Sequence, residues 1–179
     1  MLTDTLQAVE DRDFARHIGI DFSGMARAVF VSLKSGELRQ GGSTLTQQLA
    51  RSGLLGIGKE QTLSRKFNEI LYALIIDARY EKGVILEAYL NQVDIGQRGS
   101  QAIHGFASGA EFYFGRHLDD LSTEHIALLV ALVKGPSWYN PRRNPERATE
   151  RRNFVLGKMH ESGLIDDAAV FPPGNATLS

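Results

Sequence analysis

The sequence contains no cysteine among its 179 residues. Disulfide bonds and thiolate metal sites are therefore excluded, while the redox compartment stays open. An excess of charge of one sign is also lacking, because 20 basic residues are balanced by 21 acidic ones and the formal net charge is -1. This balance excludes a nucleic-acid-binding protein that relies on overall basicity, so any site for an anion must be local.

Long apolar runs are missing as well. The longest, residues 126–133, has the length of a core helix and falls far short of the roughly 18 residues that cross a bilayer. Residues 1–8 do not resemble a signal peptide. We therefore expect any membrane anchor or export signal to lie outside this sequence.

Composition and periodicity predict the fold class. Apolar residues make up 42% of the chain and charged residues 23%, which is typical of one globular domain of this length. The apolar positions recur at helical spacing almost throughout, and no alternation of period two lasts long enough to predict a sheet. The sequence therefore predicts a mainly α protein, with one domain over residues 1–165 and a frayed end or the start of a linker over residues 166–179.

The strongest helix is predicted over residues 62–80, where a broad apolar face is expected to lie in the core. Capping residues, glycines and prolines delimit the other main helices. These are predicted over residues 23–35, 85–93, 102–110, 123–134 and 144–161, with a loop at 97–100. Arginines of the last helix alternate with glutamates, which predicts a solvated helix rather than a nucleic-acid surface.

Chemical groups concentrate in residues 10–19, which contain three carboxylates, two guanidiniums, an aromatic ring and an imidazole. Apolar residues precede this stretch at helical spacing, so a short amphipathic helix is predicted to end at Glu10. A carboxylate at a helix end, beside Asp11 and near Phe14, suits a general base that overlooks a cleft. The alternative is a solvated helix end whose charges only pair with one another.

A second polar stretch, residues 40–51, runs from a glycine turn into hydroxyl residues that can cap a helix. Leu45 and Leu49 are expected to pack inward, and the opposite face carries donors and amides. The following residues 53–58 combine three glycines with three large aliphatic side chains. This segment is predicted either to form a mobile lip on a membrane or to tuck into the core.

A third cluster lies on the predicted helix 62–80. Steps of 100° per residue bring Arg65, Lys66 and Glu69 together, with neighbouring Cβ atoms about 5–6 Å apart. A solvated salt bridge is one interpretation. Because two cations exceed one acid in a partly buried place, the cluster also predicts a site for an anionic partner.

Taken together, these segments resemble the peptidoglycan glycosyltransferase (transglycosylase) domain of class A penicillin-binding proteins, and most closely its penicillin-binding protein 1B branch. The resemblance spans the chain from residue 1 to about residue 165. It rests on five motifs in order, namely residues 10–19 (EDRDFARHIG), 41–48 (GGSTLTQQ), 65–69 (RKFNE) with Ala73, 82–91 (KGVILEAYLN), and Arg151 with residues 155–156.

The resemblance implies a lysozyme-like helical large lobe with a smaller jaw lobe next to the membrane. Residues 53–58 fall in the jaw region, which favours their contact with the membrane surface. It implies the substrate lipid II, in which a sugar is joined to a polyprenyl tail through pyrophosphate. The implied reaction polymerises lipid II into β-1,4-linked glycan strands by inverting glycosyl transfer. The implied location is the periplasmic or outer face of the bacterial inner membrane, where other cell wall synthesis proteins would be partners.

The resemblance also implies roles for individual residues. Glu10 would be the general base that takes the proton from the acceptor's 4-hydroxyl group. Arg65 and Lys66 would neutralise the leaving pyrophosphate, and Glu69, the family's second essential carboxylate, would orient them or hold a divalent ion such as Mg²⁺ or Mn²⁺. Contacts to the substrate and the shaping of its site would come from Asp11, Phe14, His17, Ser43, Thr44, Gln48 and Arg51. No organic cofactor is implied.

Two positions depart from the family's pattern. Arg51 stands where lysine is common, which keeps the charge but replaces a point donor by a planar fork. Asp77 stands where glutamate is more frequent, and we expect this shortening to matter only for helix packing.

Two other functions fit parts of the sequence. A lysozyme-like muramidase or lytic transglycosylase would cleave finished glycan with one acidic glutamate, but a neutral sugar leaving group needs no pair of cations. A non-catalytic scaffold would bind lipid II or glycan without turnover, which the presence of both Glu10 and Glu69 disfavours. Consumption of lipid II, as opposed to degradation of finished polymer, distinguishes these functions.

Overall fold

The structure is a computed structural model that describes residues 1–35, 42–52 and 62–166. Helices dominate these residues, so the prediction of a mainly α protein is confirmed. The elements in chain order are α1 (Leu2–Glu10), α2 (Phe22–Ser35), α3 (Leu45–Arg51), α4 (Leu63–Arg79), α5 (Lys82–Gln92), β1 (Asp94–Arg98), β2 (Gln101–His104), α6 (Phe106–Phe114), a 3₁₀ helix (Leu118–Asp120), α7 (Thr123–Val133) and α8 (Pro145–Glu161).

These elements form two compact units. Of the described residues, one unit contains 1–9 and 91–166, and the other contains 10–35, 42–52 and 62–90. Every candidate site residue named above lies in the second unit. Assigning the units to a lysozyme-like lobe and a jaw lobe stays a prediction, and the predicted frayed end, apart from Asp166, lies outside the described residues.

The core of the first unit is built around α7, which is buried over residues 126–132 and packs against α8. The Ser122 hydroxyl group caps α7 by accepting a hydrogen bond from the backbone N–H of His125. The helix α8 begins with a proline in its first turn and buries four side chains. Both helices occupy their predicted ranges, because their caps and their apolar residues specify the same structure.

A two-stranded antiparallel sheet lies where the sequence predicted none. Its strands β1 and β2 cover residues 94–98 and 101–104, so the predicted helix from residue 102 was wrong at its start. Strands of four and five residues are too short to display a lasting alternation of period two. The helix that follows the sheet packs closely at Gly109, where a Cβ atom would lie 2.7 Å from a methyl carbon of Ile95.

The helix α4 has its predicted bounds but the opposite orientation. The sequence predicted a core helix with a buried apolar face, whereas the buried side chains of α4 are those of Glu69 and Ala73. Four large side chains of the apolar face are exposed, with exposed fractions of 92% for Leu63, 66% for Phe67, 44% for Leu71 and 40% for Ile75. Periodicity identifies which residues share a face of a helix, but it does not identify which face meets the rest of the protein.

Candidate active site

Glu10 is the last residue of α1 and lies half-buried at the start of a tight turn. The turn is closed by a hydrogen bond of 3.0 Å from the backbone N–H of Phe14 to the carbonyl of Asp11. One carboxylate oxygen of Glu10, Oε2, lies 3.5 Å from the side-chain nitrogen of Gln48. The predicted helix end at Glu10 is confirmed, and its carboxylate faces an amide donor on α3.

Asp11 and His17 form a buried pair within the same turn. Nε2 of His17 lies 3.0 Å from both carboxylate oxygens of Asp11, and the side chains of His17 and Asp11 are 6% and 3% exposed. Nδ1 of His17 accepts a hydrogen bond from the backbone N–H of Gly19, which assigns the ring hydrogen to Nε2. Asp11 also accepts a 2.8 Å hydrogen bond from the backbone N–H of Leu45. These contacts fix the turn to the beginning of α3.

Burial raises the pKa of the Asp11 carboxyl group, and the hydrogen bonds from Leu45 and His17 partly oppose this effect. Phe14 is also buried, and its ring packs edge-to-face on that of His17 with centroids 5.9 Å apart. Because all three side chains are enclosed, the structure fits the predicted role of Asp11, Phe14 and His17 in shaping the Glu10 site. It does not fit direct contact of these side chains with a substrate.

Thr44 caps α3 through a reciprocal capping box. Its hydroxyl oxygen accepts a hydrogen bond from the backbone N–H of Gln47, whose side-chain oxygen accepts one from the backbone N–H of Thr44. The Thr44 hydroxyl group also donates a 2.6 Å hydrogen bond to the carbonyl of Gly19. Since its only hydrogen is used within the protein, the expectation that Thr44 donates to the substrate does not fit this structure.

Gln48 connects the carboxylate of Glu10 with two other groups. Its side-chain oxygen accepts a 2.9 Å hydrogen bond from the Tyr89 hydroxyl group, and its nitrogen lies 3.5 Å from both Glu10 and the carbonyl oxygen of Ser43. The Ser43 hydroxyl group accepts a 3.1 Å hydrogen bond from the ammonium group of Lys66. A continuous chain of contacts therefore leads from Glu10 through Gln48 and Ser43 to Lys66.

The predicted meeting of Arg65, Lys66 and Glu69 is confirmed. Glu69 is completely buried, and its two oxygens lie 2.5 Å from Nζ of Lys66 and 3.2 Å from Nη1 of Arg65. The side chains of Lys66 and Arg65 are 36% and 16% exposed. In the described structure the buried Nε of Arg65 has no hydrogen-bond partner. Two cations with one acid leave a local positive charge, which favours an anionic partner.

The divalent ion expected at Glu69 does not fit the residues around it. Both oxygens of Glu69 already accept hydrogen bonds from cations, so an ion would have to displace Arg65 or Lys66. Among residues 1–35, 42–52 and 62–166, no group of three or more acidic or histidine side chains is placed to hold a metal ion. A requirement for a divalent ion remains a prediction.

Lys82 and Asp77 support the turn that follows Glu10, a role that the sequence predicted for neither residue. Nζ of Lys82 donates a 2.6 Å hydrogen bond to the carbonyl of His17 and lies 2.5 Å from the carboxylate of Asp77. It also lies 4.9 Å from the centroid of the Phe14 ring. The expectation that Asp77 matters only for helix packing was too narrow, because Asp77 holds the cation that binds the turn.

Gly19 allows the same turn to contact α4. Its φ angle is +86°, a conformation that glycine adopts at low cost. A Cβ atom at this position would overlap the carbonyl oxygen of Ala73 and lie 3.1 Å from Cβ of Asp77. The turn, α3 and α4 therefore come together at Gly19, with Ala73 as the small residue that admits it.

Two remaining predictions concern the end of α3 and the segment after it. Arg51 is the last residue of α3 and is exposed. Residues 53–58, expected to form a membrane lip or to join the core, lie outside the described residues. Within the described part of the chain, no helix is long and apolar enough to cross a membrane.

The chain is similar to known proteins over most of its length. A family model described as "Transglycosylase" matches residues 1–160. The chain is 50% identical over 167 residues to penicillin-binding protein 1B of Haemophilus influenzae, covering 93% of this chain and 21% of that protein. The chain is 51% identical over 165 residues to penicillin-binding protein 1B of Vibrio cholerae, covering 92% of this chain and 21% of that protein. It is 49% identical over 166 residues to penicillin-binding protein 1B of Escherichia coli, covering 93% of this chain and 19% of that protein. The chain thus spans about one fifth of the length of these curated relatives.

Proposed function

This chain belongs to the transglycosylase family, and we propose that it is a peptidoglycan glycosyltransferase that polymerises lipid II into β-1,4-linked glycan strands and releases polyprenyl pyrophosphate. The contacts from Glu10 through Gln48 and Ser43 to Lys66 carry this proposal. They join a half-buried carboxylate to a group of cations within one compact unit. Glycosyl transfer from a pyrophosphate donor uses both kinds of group.

In the proposed reaction Glu10 is the general base. Its carboxylate takes the proton of the acceptor's 4-hydroxyl group as that oxygen attacks the anomeric carbon of the donor sugar. The bond between the anomeric carbon and the pyrophosphate oxygen breaks, and the electron pair leaves with pyrophosphate. Attack on the face opposite the leaving group inverts the anomeric configuration. The amide of Gln48 faces the carboxylate and holds it toward the acceptor.

Arg65 and Lys66 stabilise the charge that develops on the leaving pyrophosphate. Fixed cations of this kind act most strongly where charge forms in the transition state. Glu69 holds both cations in place and neutralises one of them, so that one positive charge remains for the substrate. This excess supports glycosyl transfer from a pyrophosphate over lysozyme-like cleavage, because the leaving group in glycan cleavage is a neutral sugar.

The proposed partner surface of this unit is the outer face of the bacterial inner membrane, where the polyprenyl tail of lipid II is embedded. The exposed apolar side chains of α4 support this, together with those of Phe22 and Phe30 on α2, which are 65% and 68% exposed. Residues 53–58 are proposed to add to the same membrane contact. Other cell wall synthesis proteins remain proposed partners.

The test is to incubate the chain separately with lipid II and with finished peptidoglycan. We expect lipid II to be consumed and glycan strands to appear with release of polyprenyl pyrophosphate, while finished polymer stays intact. Degradation of finished polymer without consumption of lipid II would indicate the lytic function, and binding without turnover would indicate a scaffold. A parallel reaction with a chelator tests the predicted divalent ion.

A further inference from the structure

Tyr89 on α5 is a buried residue of the motif 82–91 to which neither the resemblance nor the proposed reaction gives a role. The residue is 1% exposed, and its hydroxyl group donates a 2.9 Å hydrogen bond to the side-chain oxygen of Gln48. Burial raises the pKa of the Tyr89 hydroxyl group well above its ordinary value, and the negative charge of Glu10 adds to this effect. The hydroxyl group therefore keeps its hydrogen and remains available as a donor.

The surroundings of Gln48 determine which way its amide points. The amide nitrogen lies 3.5 Å from two acceptors, the Glu10 carboxylate and the Ser43 carbonyl, while the amide oxygen faces the Tyr89 hydroxyl group. Rotating the amide by half a turn would place its oxygen against both acceptors. Only the observed orientation gives each atom of the amide a suitable neighbour. The Tyr89 hydroxyl group supplies the donor on the oxygen side.

We propose that Tyr89 is a positioning residue for glycosyl transfer, whose hydroxyl group orients the Gln48 amide so that its N–H donors face Glu10. This inference rests on the proposed function for its effect on the reaction. The distance of 3.5 Å between Nε2 of Gln48 and Oε2 of Glu10 is long for a hydrogen bond. Hydrogen bonds in active sites are often long without substrate and shorten in the complex with substrate. An amide already held by Tyr89 can shorten that contact without first rotating.

The matched control is Tyr113, a half-buried tyrosine whose hydroxyl group donates to a backbone carbonyl. Its partner is the carbonyl oxygen of Ile95 at 3.2 Å, and burial also raises the pKa of its hydroxyl group. Tyr89→Phe and Tyr113→Phe each remove one oxygen atom from such an environment. We expect Tyr89→Phe to lower kcat for lipid II polymerisation about three- to tenfold with KM changed less than twofold. Tyr113→Phe is expected to leave both constants unchanged.

A double-mutant cycle separates action through Gln48 from a general structural effect. Gln48→Leu replaces the amide with an apolar side chain that is one atom shorter. If Tyr89 acts through Gln48, Tyr89→Phe lowers kcat in the wild-type background but causes no further loss in Gln48→Leu. An equal loss in both backgrounds, or a Tyr89→Phe enzyme with wild-type kcat, would overturn the proposal. Circular dichroism and thermal unfolding of all four proteins establish that they fold.

A second measurement keeps the inference independent of the proposed function. The side-chain NH₂ resonances of Gln48 are recorded by heteronuclear NMR in the wild type, Tyr89→Phe and Tyr113→Phe. We expect them to shift in Tyr89→Phe only, with the side-chain resonances of Gln101 unchanged throughout. Unchanged Gln48 resonances in Tyr89→Phe would contradict the positioning role. If the Gln48 resonances shift in Tyr89→Phe but the wild type does not consume lipid II, the proposed function alone is refuted.

Discussion

Lys66 is the residue at which the two interpretations of the charged cluster differ most clearly. Its ammonium group pairs with the fully buried Glu69 and also contacts the Ser43 hydroxyl group. About a third of the Lys66 side chain nevertheless remains exposed. A solvated salt bridge would have both partners exposed. Here Glu69 is enclosed and Lys66 is accessible, which is the arrangement expected of a cation that binds an anionic ligand.

The first prediction concerns the binding of inorganic pyrophosphate, a probe of this charge. Lys66→Met is expected to weaken its binding about ten- to hundredfold, because a charge-assisted contact contributes about 1.5–3 kcal/mol. The control is Lys158→Met, which removes a cation from an exposed pair with Glu161 on α8. Isothermal titration calorimetry measures both variants. Equal affinities for Lys66→Met and the wild type would show that the cluster is only a structural salt bridge.

Some residues of the site were predicted from the sequence and others were not. The difference is how far apart along the chain the contacting residues lie. Arg65, Lys66 and Glu69 lie within one turn of a helix, so helical geometry alone brings them together. By contrast, 65 positions separate Lys82 from His17 and 41 separate Tyr89 from Gln48. Contacts between residues so far apart depend on tertiary packing, which local periodicity does not specify.

At the scale of elements, α4 and the β1–β2 hairpin show what pattern reasoning provides. The helix ends at Leu63 and Arg79 were predictable within one residue. The buried face was not, because Gly19 packs on Ala73 and draws the charged side of the helix inward. The hairpin was missed because its strands are short and follow directly on α5.

The second prediction concerns the start of α2, where Asp21 acts as a cap. Its Oδ1 accepts hydrogen bonds from the backbone N–H of Gly24 at 2.8 Å and from the Ser23 hydroxyl group at 2.7 Å. Both hydrogen bonds lower the pKa of Asp21, the first more than the second. Because the pKa of Asp21 is lowered in the folded state, the ionised carboxylate stabilises the folded state at pH values above the ordinary pKa of 3.8. This stabilisation is lost as the pH falls through the folded-state pKa.

Asp21→Ala is therefore expected to reduce the free energy of unfolding by about 1 kcal/mol at neutral pH, with a smaller reduction near pH 3. Urea unfolding at both pH values measures this difference. Asp120→Ala, which removes an exposed carboxylate from the 3₁₀ helix, serves as the control. A loss of the same size at both pH values would show that ionisation of Asp21 contributes nothing to the cap.

At the scale of the whole molecule, the apolar face of α4 predicts attachment to lipid. Replacing Leu63 and Phe67 by serine should weaken binding to vesicles of phosphatidylethanolamine and phosphatidylglycerol, since each Å² of lost apolar contact costs about 25 cal/mol. Thermal stability should change little, because both side chains are largely exposed. Phe154→Ser on α8, at a position 47% exposed, is the matched control. Vesicle flotation that is unaffected by the double substitution would contradict membrane contact through α4.

The central claim is that Glu10 is the general base of lipid II polymerisation, and Glu10→Gln tests it most directly. The amide keeps the shape of the side chain but cannot accept the proton, so turnover should fall at least about a hundredfold. Lipid II binding and thermal stability should stay near those of the wild type. Glu111→Gln, an exposed acid on α6, controls for the loss of one negative charge and should leave turnover unchanged. A folded Glu10→Gln protein whose turnover is within tenfold of the wild type would contradict the account.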